Sequence, residues 1–177
     1  LSTLTINNGA AVSNNGLLRD SNSGSGNVLT LIKNGAGTLT LSGSNSYSGL
    51  TTINVGTLQI GSATALGNTT GTTTVTSGAV LDLNGQTVGA EQVTLNGTGI
   101  SSGGALVNSN ASAASLAGNI PGNTYSVGGI GNITLSGAVQ GTLTKVSTNT
   151  LTLSGTTDNG GLAVIASGGT TILAKTS

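Results

Sequence analysis

The sequence predicts an all-β fold, a β-solenoid with essentially no α-helix, on three observations. The first is a repeated strand pattern: Gly37-Thr38-Leu39-Thr40-Leu41 returns nineteen residues later as Gly56-Thr57-Leu58-Gln59-Ile60, with apolar residues two apart in both copies. That alternation places Leu or Ile on one face and Thr or Gln on the other, as a half-buried strand requires. The second is composition: of 177 residues, 31 are Gly, His, Cys, Met, Phe and Trp are absent, and small branched aliphatics alternate with Thr, Ser and Asn. Slim aliphatic side chains pack densely in a narrow core when stacked on their own kind. The third is that no segment shows a 3.6-residue apolar period with caps.

In chain order, Leu1 to Ile6 already alternates, and Asn8-Gly9 and Asn15-Gly16 punctuate the chain after it. Arg19-Asp20 and the run SNSGSG at 21–26 read as a polar loop, a flexible bulge in the first third. Val28 to Ile32 resumes the strands and leads into the repeat core at 31–61. There Gly35, Gly37, Gly43, Gly49 and Gly56, together with Tyr47, are expected to be structural corners, since glycine reaches positive φ without a Cβ penalty. Thr72 to Thr76 is a strand, as is the run through Leu81, Asp82 and Leu83, with the leucines facing one way and the aspartate the other. Val93-Thr94-Leu95 precedes Asn96-Gly97 in the same strand-then-turn manner, whereas Ser101 to Gly118, with Leu106, Val107 and Leu116 as its larger apolar residues, alternates least. Pro121-Gly122-Asn123 reads as a turn.

Lys145 to Gly155 then matches Lys33 to Gly43 at a constant offset of 112, with Ser147 and Asn149 in place of Gly35 and Gly37. At the same offset Ile165 falls opposite Ile53 and Gly168 opposite Gly56, so 145–173 is a degenerate second copy. Six Asn-Gly pairs, at 8, 15, 34, 84, 96 and 159, would also suit hairpins in a sandwich. The two self-similarities favour stacked coils in one domain over 1–177, about eight coils of about 20–23 residues each.

The core motif also resembles a known family. Lys33, the run Gly35 to Gly43, Asn45-Ser46-Tyr47-Ser48-Gly49, Thr52-Ile53 and Gly56-Thr57-Leu58 reproduce the passenger-associated transport repeat of bacterial autotransporter proteins. The resemblance implies a right-handed parallel β-helix secreted to the bacterial surface or medium. It implies no activity, because a fold does not specify one.

The ionisable groups argue against catalysis. Arg19, Asp20, Lys33, Asp82, Glu91, Lys145, Asp158 and Lys175 are all of them, and the absence of His and Cys excludes Ser-His and Cys-His machinery. Asp82 and Glu91 are the acidic pair within one coil's length, and nine residues with a Gly-rich corner between them define no shared site. No catalytic, cofactor-binding or metal-binding residue is expected. Gly128-Gly129-Ile130-Gly131-Asn132 begins like a calcium nonapeptide, but Asn stands where the ligand Asp belongs and stacked copies are lacking, so it reads as a turn. A net charge of zero lacks the basic footprint of a nucleic-acid binder, and no apolar run suits membrane insertion.

The Thr-x-Thr pairs raise a glycan- or ice-binding reading, although along the sequence they are clustered irregularly. Asn68, Asn96, Asn110 and Asn132 head N-x-S/T sequons of the kind expected by chance in such a composition. Neither terminus looks capped: Leu1 opens directly into a strand and Thr170 to Lys175 runs nearly to the end. The expected partner is therefore the chain itself, through end-to-end stacking into a filament, or adjoining coils of a longer chain. The favoured function is a non-enzymatic rigid stalk or filament subunit, and the alternative is an adhesin module that binds host or matrix glycans through its Ser/Thr/Asn faces.

Overall fold

The computed structural model describes residues 1–21 and 26–176, so most of the polar loop expected at 21–26 lies outside the described residues. The chain is a β-solenoid in which every strand pairing is parallel. Its first sheet is built from β1 (Ser2–Ile6), β3 (Leu29–Lys33), β5 (Thr51–Ile53), β7 (Thr72–Val75) and β10 (Gln92–Leu95). The second sheet holds β2 (Val12–Asn14), β4 (Thr38–Leu41), β6 (Thr57–Ile60), β8 (Val80–Asp82), β11 (Leu106–Asn108), β13 (Ile120–Gly129), β15 (Val139–Lys145) and β17 (Leu162–Ala166). β9 (Thr87–Val88), β12 (Ala114–Leu116), β14 (Ile133–Leu135), β16 (Thr150–Gly155) and β18 (Thr170–Lys175) form the third. The second sheet runs the length of the solenoid; the first flanks it over the early coils and the third over the later ones. Its eight strands are separated by seven coil-to-coil steps, so the path makes about seven turns where residue spacing gives about eight. Among the described residues the one helical element is a 3-10 turn at Ile100–Ser102.

Register explains why the alternation works. Leu39, Leu58, Leu81 and Leu106 are successive partners in the second sheet, and all are buried. In the third sheet Val88, Leu116, Leu135 and Leu153 stack in the same way. A one-residue slip would turn each of these columns to solvent, so burial of one face fixes the register along the whole axis.

Two expectations are corrected here. Pro121-Gly122 does not reverse the chain: it lies inside β13, where Ile120 pairs with Val139 and Asn123 with Gly141, so one extra residue bulges out. A bulge is a place a strand tolerates proline, because no ladder N–H is required there. Second, the 112-residue offset does not hold through the second copy, and the repeat proves to be a corner unit. Lys33 to Gly43 turns the chain from the first sheet into the second, whereas Lys145 to Gly155 turns it from the second into the third. The offset also slips from 112 to 113 in the second copy. Lys145 pairs with Ala166, as Lys33 pairs with Ile53, so Ile165 faces outward and is 51% exposed. The counterpart of Gly56 is accordingly Gly169, and both have positive φ, 76° and 64°.

Candidate functional site

Three lysine side chains reach into the solenoid at its corners. Lys33 is the last residue of β3 and points into the core, fully buried. Its Nζ donates to the Gly35 carbonyl of its own coil and to the Val55 carbonyl of the next, at 3.0 Å. Lys145 ends β15 in the same way, fully buried, with Nζ donating to the carbonyls of Val146 and Ser147, the latter at 2.9 Å. Lys175 ends β18 and donates to the Gly137 carbonyl at 2.7 Å. Burial pulls the ammonium pKa of all three below the ordinary lysine value. Each lysine thus holds carbonyl oxygens that the turn leaves without a ladder partner, which is the condition for burying a charged group.

Buried asparagines tie the same corners. Asn45 accepts from the Leu18 amide at 2.9 Å and donates to the Ala65 carbonyl at 2.7 Å, which links the coils on either side of it. Asn108 accepts from the Gly85 amide and donates to the Asn132 carbonyl, and Asn8 donates to Thr38 in the coil above. Asn149 stands where the first copy has Gly37 and donates to the Gly131 carbonyl at 2.6 Å. These lysine and asparagine clamps are what sequence reasoning missed. The signal was present: Lys33 and Lys145 sit at the inward phase of their strands, two residues beyond Leu31 and Leu143.

The six expected corner residues take these places. Gly35, Gly37, Gly43 and Gly49 do not have the left-handed φ that the sequence suggested. They are glycine for want of room, since a Cβ at any of them would lie within 3.0 Å of backbone atoms in the coil beneath. Gly56 meets both conditions, with φ 76° and the Gly35–Gly37 backbone directly under it. Tyr47 is wholly buried, with its hydroxyl 2.7 Å from Thr51 Oγ1. Tyr125 is buried likewise and donates to the Gln140 carbonyl at 3.0 Å.

Asp82 and Glu91 share no partner. Asp82 does face outward but is covered, because Gln59 Nε2 (2.9 Å), the Ser109 amide (3.0 Å) and Ser109 Oγ (2.5 Å) all donate to it. Glu91 points inward to Thr73. In the stretch 128–132 the Asn132 side-chain oxygen is occupied by the Thr150 amide, 2.9 Å away, and Gly129 turns the chain at φ 109°. Among the described residues no group of three or more metal-ligating side chains converges. Among the described residues no helix is long and apolar enough to cross a membrane.

The Thr-x-Thr pairs, irregular along the sequence, become regular on the surface. One outward column of the first sheet reads Thr5, Ile32, Thr52, Thr74, Thr94, and one of the third sheet reads Thr87, Ser115, Thr134, Thr152, Ile172. The parallel register, not sequence spacing, aligns these hydroxyls.

Comparison with known proteins agrees with this architecture. Residues 31–60 match the family model of the passenger-associated-transport-repeat. Over 145 residues the chain is 37% identical to the adhesin BmaC autotransporter of Brucella suis biovar 1 (strain 1330), a match covering 78% of this chain and 4% of that protein. The chain therefore spans a small part of the length of its curated relative. No solved structure matches it.

Proposed function

We propose that this chain, an autotransporter passenger-repeat domain exported to the bacterial cell surface, serves there as a rigid, non-enzymatic structural segment. The observation that supports this most is where the polar chemistry lies: three lysines, Lys145 through the Gly168 carbonyl at 3.5 Å, and four buried asparagines hold one coil to the next. Charged groups used in this way resist bending and shear between coils and leave little for catalysis. The segment transmits position along its axis. Its end coils keep inward-facing apolar residues uncovered, Val12 in β2 and Leu173 in β18 being 41% and 70% exposed. Adjoining coils of the same parallel type would cover them, supplied by a longer passenger or, for the isolated chain, by a second copy stacked head to tail.

Electron microscopy of the purified 177-residue chain tests this reading. Rods of constant width that lengthen with concentration are expected, and substituting Leu173→Lys should shorten them. Flexible particles would contradict a rigid segment.

A second reading is favoured by the outward hydroxyl columns. The side-chain hydroxyls of Thr52, Thr74 and Thr94 form no hydrogen bond among the described residues, so they are free to meet a glycan. The adhesin name of the Brucella relative points the same way. Saturable binding on a glycan array that Thr52→Val/Thr74→Val abolishes would establish this role, and an empty array would remove it.

A further inference from the structure

Glu91 is a buried ionisable side chain that takes no part in the clamps. Glu91 is the single glutamate of the chain, 4% exposed, and lies just before β10 with its carboxyl turned into the core. Its hydrogen-bond partner is Thr73 of the coil below, whose Oγ1 donates to Glu91 Oε1 at 2.8 Å. Thr73 is the register partner of Thr51, which in turn holds the Tyr47 hydroxyl, so four polar side chains from three successive coils gather at one corner. The coil above closes over them, with Gly118 packed against the Glu91 backbone. Tyr47 is the titratable group that faces Glu91. The lysines are held on carbonyls at other corners, so no cation compensates the carboxyl.

A carboxylate buried without a cation and with one neutral donor is poorly solvated, whereas an uncharged carboxylic acid loses far less by burial in the same place. Gly89 and Ala90, immediately before Glu91, are exposed, and the space around Gly89 is open, so this corner has room to swing outward. We infer that the Tyr47–Thr51–Thr73–Glu91 cluster is a proton-operated joint: with Glu91 protonated the coils on either side are locked together, and on deprotonation the carboxylate draws its corner toward water and loosens them.

Burial outweighs the Thr73 hydrogen bond and pushes the Glu91 carboxyl from 4.5 up to about 7. Because the folded value is the higher, the stabilisation is complete below about pH 4.5 and is lost as pH rises through about 7.

With one glutamate, carboxyl-13C labelling of that residue gives a single NMR resonance to titrate in the intact chain. The joint requires a midpoint near pH 7, together with a urea midpoint that falls between pH 5 and pH 8. In Glu91→Gln, which keeps an acceptor for Thr73 but cannot ionise, the urea midpoint should be flat over that window. A wild-type carboxyl midpoint near 4.5, or an unchanged pH dependence in Glu91→Gln, would overturn the inference. Should Glu91→Gln fail to fold, the wild-type titration decides alone. Amide protection should also weaken with pH in β7, β10 and β12 before it weakens in β4, and uniform loss along the chain would count against a local joint.

Discussion

Replacing Gly37 with alanine tests how tightly successive coils are pressed together. A Cβ at Gly37 would stand 2.6 Å from the Ala10 carbonyl carbon and 2.8 Å from the Ala10 nitrogen, where ordinary contact begins at 3.4 Å. The Ala10 carbonyl oxygen lies closer still, so the two backbones must separate by more than about 0.8 Å, and packed backbone does not yield that distance without losing hydrogen bonds. Those at risk are Gly37 N to the Asn8 carbonyl (2.9 Å), Asn8 Nδ2 to the Thr38 carbonyl (2.9 Å) and Thr57 N to the Gly37 carbonyl (3.3 Å). At about 1 kcal/mol for each bond, the expected loss is about 2–4 kcal/mol. Gly9→Ala is the internal control. Gly9 has nothing within 4 Å of the added carbon and lacks a left-handed φ, so its substitution should fall within about 0.5 kcal/mol of wild type. Urea unfolding followed by far-ultraviolet circular dichroism reads both variants. Equal midpoints for Gly37→Ala and Gly9→Ala would refute the close-approach explanation of the corner glycines.

Three further outcomes rest on the same geometry. Lys33→Met keeps most of the side-chain volume but strands the Gly35 and Val55 carbonyls; a loss of about 1–3 kcal/mol in urea unfolding is expected, and an unchanged midpoint would mean that the lysine clamps nothing. Ile165→Thr should leave stability within about 0.5 kcal/mol because Ile165 faces outward, whereas a loss above about 2 kcal/mol would restore the 112-residue register and bury that residue. Burial raises the Tyr47 hydroxyl from 10.0 to about 12, so its contribution to stability is complete below pH 10 and is lost as pH rises through about 12. Tyr125 is the other tyrosine, so ultraviolet titration of Tyr125→Phe should show no phenolate absorbance until the circular dichroism signal changes, and ionisation of that folded variant near pH 10 would place Tyr47 at the surface.

The strands were legible in the sequence because a side-chain period of two survives in each: Leu39/Leu41, Leu58/Ile60 and Leu151/Leu153 all announce their buried face. The corners were only half legible. Glycine marked them, but the reason for glycine at Gly35, Gly37, Gly43 and Gly49 is the neighbouring coil, and nothing in a linear sequence displays what lies one turn below. For the same reason the clamp role of Lys33 and Lys145 went unread, although the inward phase of Leu31 and Leu143 carries through to them. The slip that turns Ile165 outward arises in the corner at 156–161, where no strand pattern fixes the count. Likewise, the hydroxyl columns exist only once coils are in register. Pro121 misled because its usual place is a turn, whereas a bulge removes the same demand for an N–H.

The most direct test of a stacked-coil rod is a distance measured along its axis. The chain has no cysteine, so spin labels at Ser13→Cys in β2 and Ile165→Cys in β17 report without background. Both positions are on the outer side of the second sheet and are separated by its seven coil-to-coil steps. With strands about 4.8 Å apart, pulsed electron paramagnetic resonance should give one narrow distribution centred near 34 Å. A broad distribution, or a centre well below that value as in a folded-back sandwich, would contradict the solenoid and the rigid role drawn from it.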